Sequence, residues 1–279
     1  MSRRFAQVDV FASGPLSGNP VAVVVDADGL SDAQMAAFAS WTNLSETTFL
    51  LPPTDPAADY RVRIFTPGSE LPFAGHPTLG SAHAWLGAGG TPRTDGVVVQ
   101  ECGIGLVTLR HTGGRLAFAA PPLRRSGPVE PGIVDEVIGA LGVERAHVVA
   151  TEWLANGPNW IGVQLDSAQR VLAVRPDLAA LGSHEVGICG FSESPAPGEA
   201  LLEVRAFAPA QGVPEDPVTG SLNAAIAVWL RREERIPASY VAAQGSVLGR
   251  AGRVSVTDDG TDIWVGGASR THVTGTLDL

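Results

Sequence analysis

The 279-residue sequence holds two cysteines, Cys102 and Cys189, one in each half and too far apart for a CxxC site. That excludes a disulfide scaffold, and it fits two idle thiols in a reducing compartment, with one disulfide as the lesser alternative. Aromatics make up 6% of the chain. The net charge of −10 comes without a basic stripe, which argues against a nucleic-acid partner. No apolar run approaches the length of a membrane span, and the N-terminus has no signal-peptide core, so the expected location is cytoplasmic. The six histidines show no metal spacing, and Gly87 to Gly90 matches neither a P-loop nor a dinucleotide fingerprint, so no cofactor is implied.

What the sequence does contain is a repeat. Arg63-Ile64-Phe65-Thr66-Pro67 followed by Glu70-Leu71-Pro72-Phe73-Ala74-Gly75 recurs as Arg205-Ala206-Phe207-Ala208-Pro209 followed by Glu215-Asp216-Pro217-Val218-Thr219-Gly220. The offsets are 142 and 145 residues, about half the chain. Ala12-Ser13-Gly14-Pro15 returns as Ala155-Asn156-Gly157-Pro158, the run Val21 to Asp26 as Ile161 to Asp166, and Ala36-Ala37-Phe38 as Ala179-Ala180-Leu181. Matches in one order at one spacing indicate a duplicated chain. Two similar domains follow, 1–120 and 121–279, with the last strand, 270–279, free to pack back on the first.

Local patterns fill in the elements. Val21 to Val25 is a β-branched run of the kind buried on both sheet faces. Ser31 is an N-cap before a helix ending near Trp41, and strands follow at Thr47 to Leu51 and Tyr60 to Phe65. Pro77 to Leu86 reads as a helix of small residues, suited to burial on every side, with Pro77 at its first position. In the second half a short helix is expected at Asp177 to Leu181, and a longer one from Leu222 to Arg231 with Ser221 as its cap.

The aligned copies pair Gly75 with Gly220 and His76 with Ser221, each just before a helix. Two helix N-termini related by a pseudo-twofold would converge on one cleft, suited to a carboxylate or a developing enolate. Ordinary capping is the plainer account of both turns. Glu46, after one helix and before a strand, is either a solvated loop residue or a carboxylate placed for general acid/base work. Asp216 before Pro217 is either a turn cap or a member of the site. His83 reads as a core or wall residue. His76, Asp216 and Ser221 also permit a serine hydrolase, but no strained G-x-S-x-G elbow surrounds Ser221.

Val8-Asp9-Val10-Phe11, Gly18-Asn19-Pro20, Asn43-Leu44-Ser45-Glu46-Thr47-Thr48-Phe49, Glu70 through Thr78, and Glu215 through Ser221 together resemble the phenazine biosynthesis PhzF-like family. The resemblance spans essentially the whole chain. It implies an α/β (α+β) fold of the diaminopimelate-epimerase-like type: two similar domains, each a curved β-sheet or barrel around a central α-helix, with the site between them. It implies Glu46 as general acid/base, His76 and Asp216 as its polar partners, and Gly75, Gly220 and Ser221 as substrate-binding turns. It further implies a homodimer and an isomerisation by proton transfer without metal or organic cofactor. The family's two-cysteine relatives carry their thiols on these loops, where this chain has none. Leu222-Asn223-Ala224 departs from the small residues common there and points to an altered pocket wall. The expected activity is therefore isomerisation of a small carboxylate-bearing metabolite, with a serine-type hydrolase or a non-catalytic small-acid binding protein as alternatives.

Overall fold

The computed structural model describes residues 2–279. Strands run β1 (Ser2–Val10), β2 (Asn19–Val24), β3 (Thr47–Leu51), β4 (Tyr60–Phe65), β5 (Glu70–Leu71), β6 (Val97–Cys102), β7 (Gly105–Thr112), β8 (Arg115–Ala119), β9 (Val148–Ala155), β10 (Asn159–Leu165), β11 (Glu185–Phe191), β12 (Leu202–Ala208), β13 (Val213–Asp216), β14 (Ser239–Gln244), β15 (Gly252–Asp258), β16 (Ile263–Gly267) and β17 (Ser269–Asp278). The α-helices are α1 (Asp32–Thr42), α2 (Gly75–Gly87), α3 (Pro131–Leu141), α4 (Ala168–Ala173) and α5 (Gly220–Arg232). The chain forms two compact units: the first runs to Ala119 and includes Gly266–Leu279, and the second is Ala120–Val265.

The duplication appears in the strand pairing of each unit. In the first, β1–β2 is antiparallel, β2–β3 parallel, β3–β4 and β4–β5 antiparallel, β4–β6 parallel and β6–β7 antiparallel. In the second, β9–β10, β10–β11, β11–β12, β12–β13, β12–β14 and β14–β15 repeat that series of orientations in the same order. The first unit adds β17, antiparallel to β1 from Ser2↔Asp278 to Val10↔Ser269.

Each unit wraps its sheet around one helix. In the first, α2 packs on β1, β2, β3, β6, β8 and β17, and nine of its residues are buried, including the unbroken run Gly75 to Ala82. Small side chains make this fit possible: a Cβ on Gly80 would lie 2.3 Å from Val21 Cγ1. In the second, α5 lies against β9 and β15, and the space is provided by strand glycines instead. Gly162 makes room for Leu154 and Gly187 for Leu222.

Other helices pack on each sheet along one buried side. In the first unit Met35, Phe38 and Ala39 of α1 join Val24, Phe49 and Phe65. In the second, Val134, Val137, Ile138 and Leu141 of α3 and Val171 of α4 meet Ile161, Val163, Val186 and Ile188. Full burial of each large side chain contributes about 1.5–3 kcal/mol relative to exposure. Ser31 and Gln34 form a reciprocal capping box that fixes the start of α1.

Three local expectations need correction. The short helix of the second unit is Ala168–Ala173, capped by the Ser167 hydroxyl, while Asp177 to Leu181 is a turn. Asp177 Oδ1 accepts the N–H groups of Ala179 and Ala180, a local bond that competes with helix formation. The match between Ala36-Ala37-Phe38 and Ala179-Ala180-Leu181 is therefore not a structural one. The central helices also begin earlier than expected, at Gly75 and Gly220, with Ala74 and Thr219 as N-caps. Pro77 is thus the third helical residue, where its missing N–H still costs no intrahelical bond, and Ser221 is the second. Finally, Asn223 is not a pocket wall: it is 1% exposed, and its amide donates to Thr219 O at 2.9 Å and Gln244 Oε1 at 2.8 Å.

The repeated Arg and Glu are a clamp. Arg63 donates Nε and Nη2 to the two Glu70 oxygens, both at 2.7 Å, and Nη1 to Asp32 at the start of α1. Arg205 grips Glu215 at 2.8 and 2.9 Å and gives Nη1 to the carbonyls of Val171 and Val174 at the end of α4. Each guanidinium also lies over the Phe two residues on, at 5.1 and 5.0 Å. The clamp ties the outer helix of each unit to the short strand that feeds the central helix.

Candidate active site

In the first unit, α1 ends at Thr42 with Asn43 in the left-handed conformation (φ 52°), which turns the chain sharply toward β3. Thr42 Oγ1 bonds Ala39 O at 2.9 Å and Thr47 Oγ1 at 2.8 Å, and Ser81 Oγ of α2 donates to Thr48 Oγ1 at 2.9 Å. The start of β3 is thereby pinned to both helices. Glu46 sits on this pinned segment with its side chain 16% exposed.

His76, the second residue of α2, is 4% exposed. Its Nε2 faces Glu46 Oε2 at 3.4 Å, and its Nδ1 lies 3.5 Å from Asn19 Nδ2. Burial pushes the imidazole pKa down to about 3, against the opposing pull of a hydrogen bond to the Pro20 carbonyl. The ring is therefore neutral near pH 7. Its contact with Glu46 is that of an imidazole with a carboxyl group, not an ion pair.

The structure thus brings Glu46, Gly75 and His76 together in the first unit, at a helix N-terminus with no side-chain cap. Such an end presents backbone N–H groups and a positive dipole to an anion.

The second unit holds the other three residues. Asp216 ends β13, and its Oδ2 accepts the Thr219 hydroxyl at 2.6 Å while its carbonyl accepts Gln244 Nε2 at 3.0 Å. Gln244 is fully buried and also accepts the Thr219 N–H at 3.0 Å, so the turn before α5 is locked by one amide side chain. Gly220 is buried at the start of α5. Ser221 Oγ accepts Trp160 Nε1 at 3.1 Å, and its carbonyl accepts Asn156 Nδ2 at 2.8 Å. Sequence reading misses Asn19, Thr219, Gln244 and Trp160 as partners. Asn19 and Thr219 lie inside segments that the sequence singles out, Gly18-Asn19-Pro20 and Glu215 through Ser221, whereas Gln244 and Trp160 carry no local signal.

Other features fall outside this set. Open cavities of about 580 and about 420 Å³ in the first unit are lined by Arg61, Arg63, Glu70 and Cys102, and by Arg4, Tyr60 and Trp85, among others. Neither is lined by Glu46 or His76. His83 is partly exposed and meets Thr271 Oγ1 at 3.1 Å. Both cysteines are free, and burial pushes the Cys189 thiol up to about 12. Among the described residues no group of three or more His, Cys, Asp or Glu could hold a metal ion, and no helix is long and apolar enough to cross a membrane.

Comparison with known proteins agrees with this architecture. Residues 8–276 match the family model described as phenazine biosynthesis-like protein, PhzC-PhzF. A relative from Schizosaccharomyces pombe, antisense-enhancing sequence 1, is 37% identical over 97% of both chains. The trans-2,3-dihydro-3-hydroxyanthranilate isomerase of Pseudomonas chlororaphis is 39% identical over 82% of this chain and 80% of its own. A PhzF-family crystal structure from Enterococcus faecalis covers both chains fully with TM-score 0.82 at 25% identity. A hydroxyproline epimerase from Agrobacterium vitis shares the fold alone, with TM-score 0.56 at 15% identity, over 99% of this chain and 91% of its own. A mixed α+β chain of two like-wired units, matched by the family model over nearly its whole length, belongs to the phenazine biosynthesis-like PhzC-PhzF family, whose named relatives include isomerases.

Proposed function

We propose that this protein is an isomerase that moves a proton on a small carboxylate-bearing metabolite, with Glu46 as general acid/base. The observation that carries the reading is the contact between Glu46 and a buried His76 that stays uncharged at neutral pH. A neutral imidazole orients the carboxyl group without neutralising it as an ion pair would, so the carboxyl remains able to take a proton and give it back.

Glu46 breaks a C–H bond next to an activating group. The proton passes to the carboxylate, and the electron pair spreads into the adjacent unsaturation. The protonated carboxyl then returns the proton at another carbon. N–H groups at the starts of α2 and α5, beside Gly75, Gly220 and Ser221, are assigned to the substrate carboxylate and to the developing charge. Asp216 is assigned a polar contact with the substrate.

Several features support this chemistry. All 19 basic residues are arginine, so the chain has no lysine to form a Schiff base. The two free thiols lie on β6 and β11, away from the turns that open α2 and α5. The substrate class follows relatives named for trans-2,3-dihydro-3-hydroxyanthranilate, a cyclic amino-acid-like carboxylate. A homodimer in the cytosol is part of the same proposal, resting on the family resemblance, and light scattering on the purified protein checks the dimer.

The test is turnover of a panel of cyclic and amino-acid-like carboxylates, including trans-2,3-dihydro-3-hydroxyanthranilate. The expected result is turnover of at least one member that falls by about 100-fold or more in Glu46→Gln. Turnover that survives the substitution removes Glu46 from its role. A ligand that binds with no turnover favours a non-catalytic binding protein.

A further inference from the structure

The turn that opens α5 places a threonine where a side chain commonly caps a helix, yet this one does not cap. Thr219 is the N-cap residue, with φ −106° and ψ 105° in the extended region that a capping threonine adopts, but its side chain makes no bond to the first turn. Its hydroxyl is engaged elsewhere: it donates to Asp216 Oδ2 at 2.6 Å and accepts Gln244 Nε2 at 2.9 Å.

Two backbone groups fix the direction of these bonds. Gln244 Oε1 accepts the Thr219 N–H at 3.0 Å, and Nε2 donates to the Asp216 carbonyl at 3.0 Å. A flipped amide would set donor against donor and acceptor against acceptor, so only this orientation fits. Nε2 therefore also donates to Thr219 Oγ1, and the single hydroxyl proton goes to Asp216. Asn223 Nδ2, aimed at the Thr219 carbonyl at 2.9 Å, fills the second place on Gln244 Oε1 at 2.8 Å. The Gln244 amide is thus fully bonded, as its complete burial requires.

We propose that Gln244 is a positioning residue that holds the Thr219 hydroxyl away from the first turn of α5, so that the Ser221 and Leu222 N–H groups stay open to a substrate carboxylate. These are the two N–H groups that an N-cap side chain would otherwise occupy. The proposal rests on the assignment of the substrate carboxylate to the start of α5. The end of β14 is brought close enough for this task by Gly245, which has φ 92° and where a Cβ would fall 2.6 Å from the Pro217 carbonyl oxygen. The first unit has no need of the device. Its N-cap, Ala74, carries no hydroxyl, and Gln100 of β6 bonds Tyr60 and Thr78 instead, at 2.9 and 3.0 Å.

The test is steady-state kinetics on the full-length protein with the panel carboxylate that the wild type turns over fastest. Gln244→Met keeps the length of the side chain and removes its donors and acceptor, which frees Thr219 to cap. KM is expected to rise about five-fold, the worth of one N-cap bond, with kcat within about two-fold. Gln244→Met/Thr219→Val has no hydroxyl left to cap, so KM should fall back by about two-fold or more from that of Gln244→Met. A loss of packing alone predicts the opposite, a double variant worse than Gln244→Met. Unchanged KM in Gln244→Met, or no recovery in the double variant, overturns the proposal. If the variants do not fold, wild-type amide hydrogen exchange at Ser221 decides: the free protein should show no protection there, and the bound carboxylate should slow exchange by about ten-fold or more. A Ser221 amide already protected in the free protein overturns the proposal. A bound carboxylate that leaves this exchange unchanged removes the substrate from α5 and defeats the underlying assignment, whereas slowed exchange with unchanged KM in Gln244→Met defeats the role of Gln244 alone.

Discussion

Replacing Arg205 by Met should cost far more stability than replacing Arg63 by Met, although the two arginines occupy the same place in the repeat. Arg205 has 2% of its side chain exposed and its partner Glu215 has 13%. Removing it strands a largely buried carboxylate and takes the side-chain donor from the carbonyls of Val171 and Val174. Breaking a buried pair from one side typically costs about 3–5 kcal/mol, because the remaining charge is left without compensation. Arg63 is 24% exposed, and its partners Glu70 and Asp32 are 42% and 83% exposed. Water screens that pair, which should contribute about 1 kcal/mol or less. At about 2–4 °C per kcal/mol for a unit of this size, thermal unfolding should fall by about 6–20 °C in Arg205→Met and by no more than about 4 °C in Arg63→Met. Calorimetry on the two variants measures both, and Arg205→Met/Glu215→Met should recover much of the loss by removing the stranded charge. Equal losses from the two single variants would refute the reasoning that burial, not the motif, sets the strength of the clamp.

Other expectations follow from particular contacts. His76 has a pKa of about 3 when folded against an ordinary value of 6.5, so between these values the unfolded chain binds the extra proton. The stability from burying it neutral is complete above about pH 6.5 and is lost as pH falls toward 3, by up to about 1.4 kcal/mol per pH unit. Denaturation midpoints across that range should therefore slope less in His76→Gln, and parallel curves would contradict the shift. Gly80→Ala places a Cβ 2.3 Å from Val21 and 3.1 Å from Val10, at a strain cost of about 1–3 kcal/mol against about 1 kcal/mol of helix propensity gained. Paired with Val21→Ala, it should be non-additive by at least about 0.5 kcal/mol in a double-mutant cycle. Ser221, whose hydroxyl is held by the Trp160 indole, should resist labelling by a fluorophosphonate, and stoichiometric labelling there would revive a hydrolase.

The duplication is legible because it is written in backbone-critical residues and charges: Gly, Pro, Arg and Glu recur where each unit needs a turn, a helix start or a clamp. The strands Thr47–Leu51 and Tyr60–Phe65 are legible to the residue, since apolar runs bounded by turn signals leave little choice. The starts of α2 and α5 are harder. Their first turns are buried by tertiary packing and have no side-chain cap, so Pro77 and Ser221 suggest starts two residues too late. The short helix of the second unit is misread for a related reason. Ala179-Ala180-Leu181 has helical composition, but Asp177 commits its oxygen to a local turn.

Within the site, Glu46 and His76 stand out through motif and resemblance, yet nothing local announces that they meet, since 30 residues and three strands separate them. Asn19 and Thr219 lie in segments that stand out in the sequence and Gln244 does not, but in none of the three does the residue type announce its partner. Their importance comes from full or nearly full burial, which obliges every polar atom to find a partner.

The most direct test of the account is hydrogen exchange by NMR in deuterated water, with carboxylates that the protein demonstrably binds, comparing wild type with Glu46→Gln. Proton transfer through Glu46 requires deuterium to enter at one substrate carbon in the wild type and not in the variant. Deuterium entering equally in both would contradict the central claim.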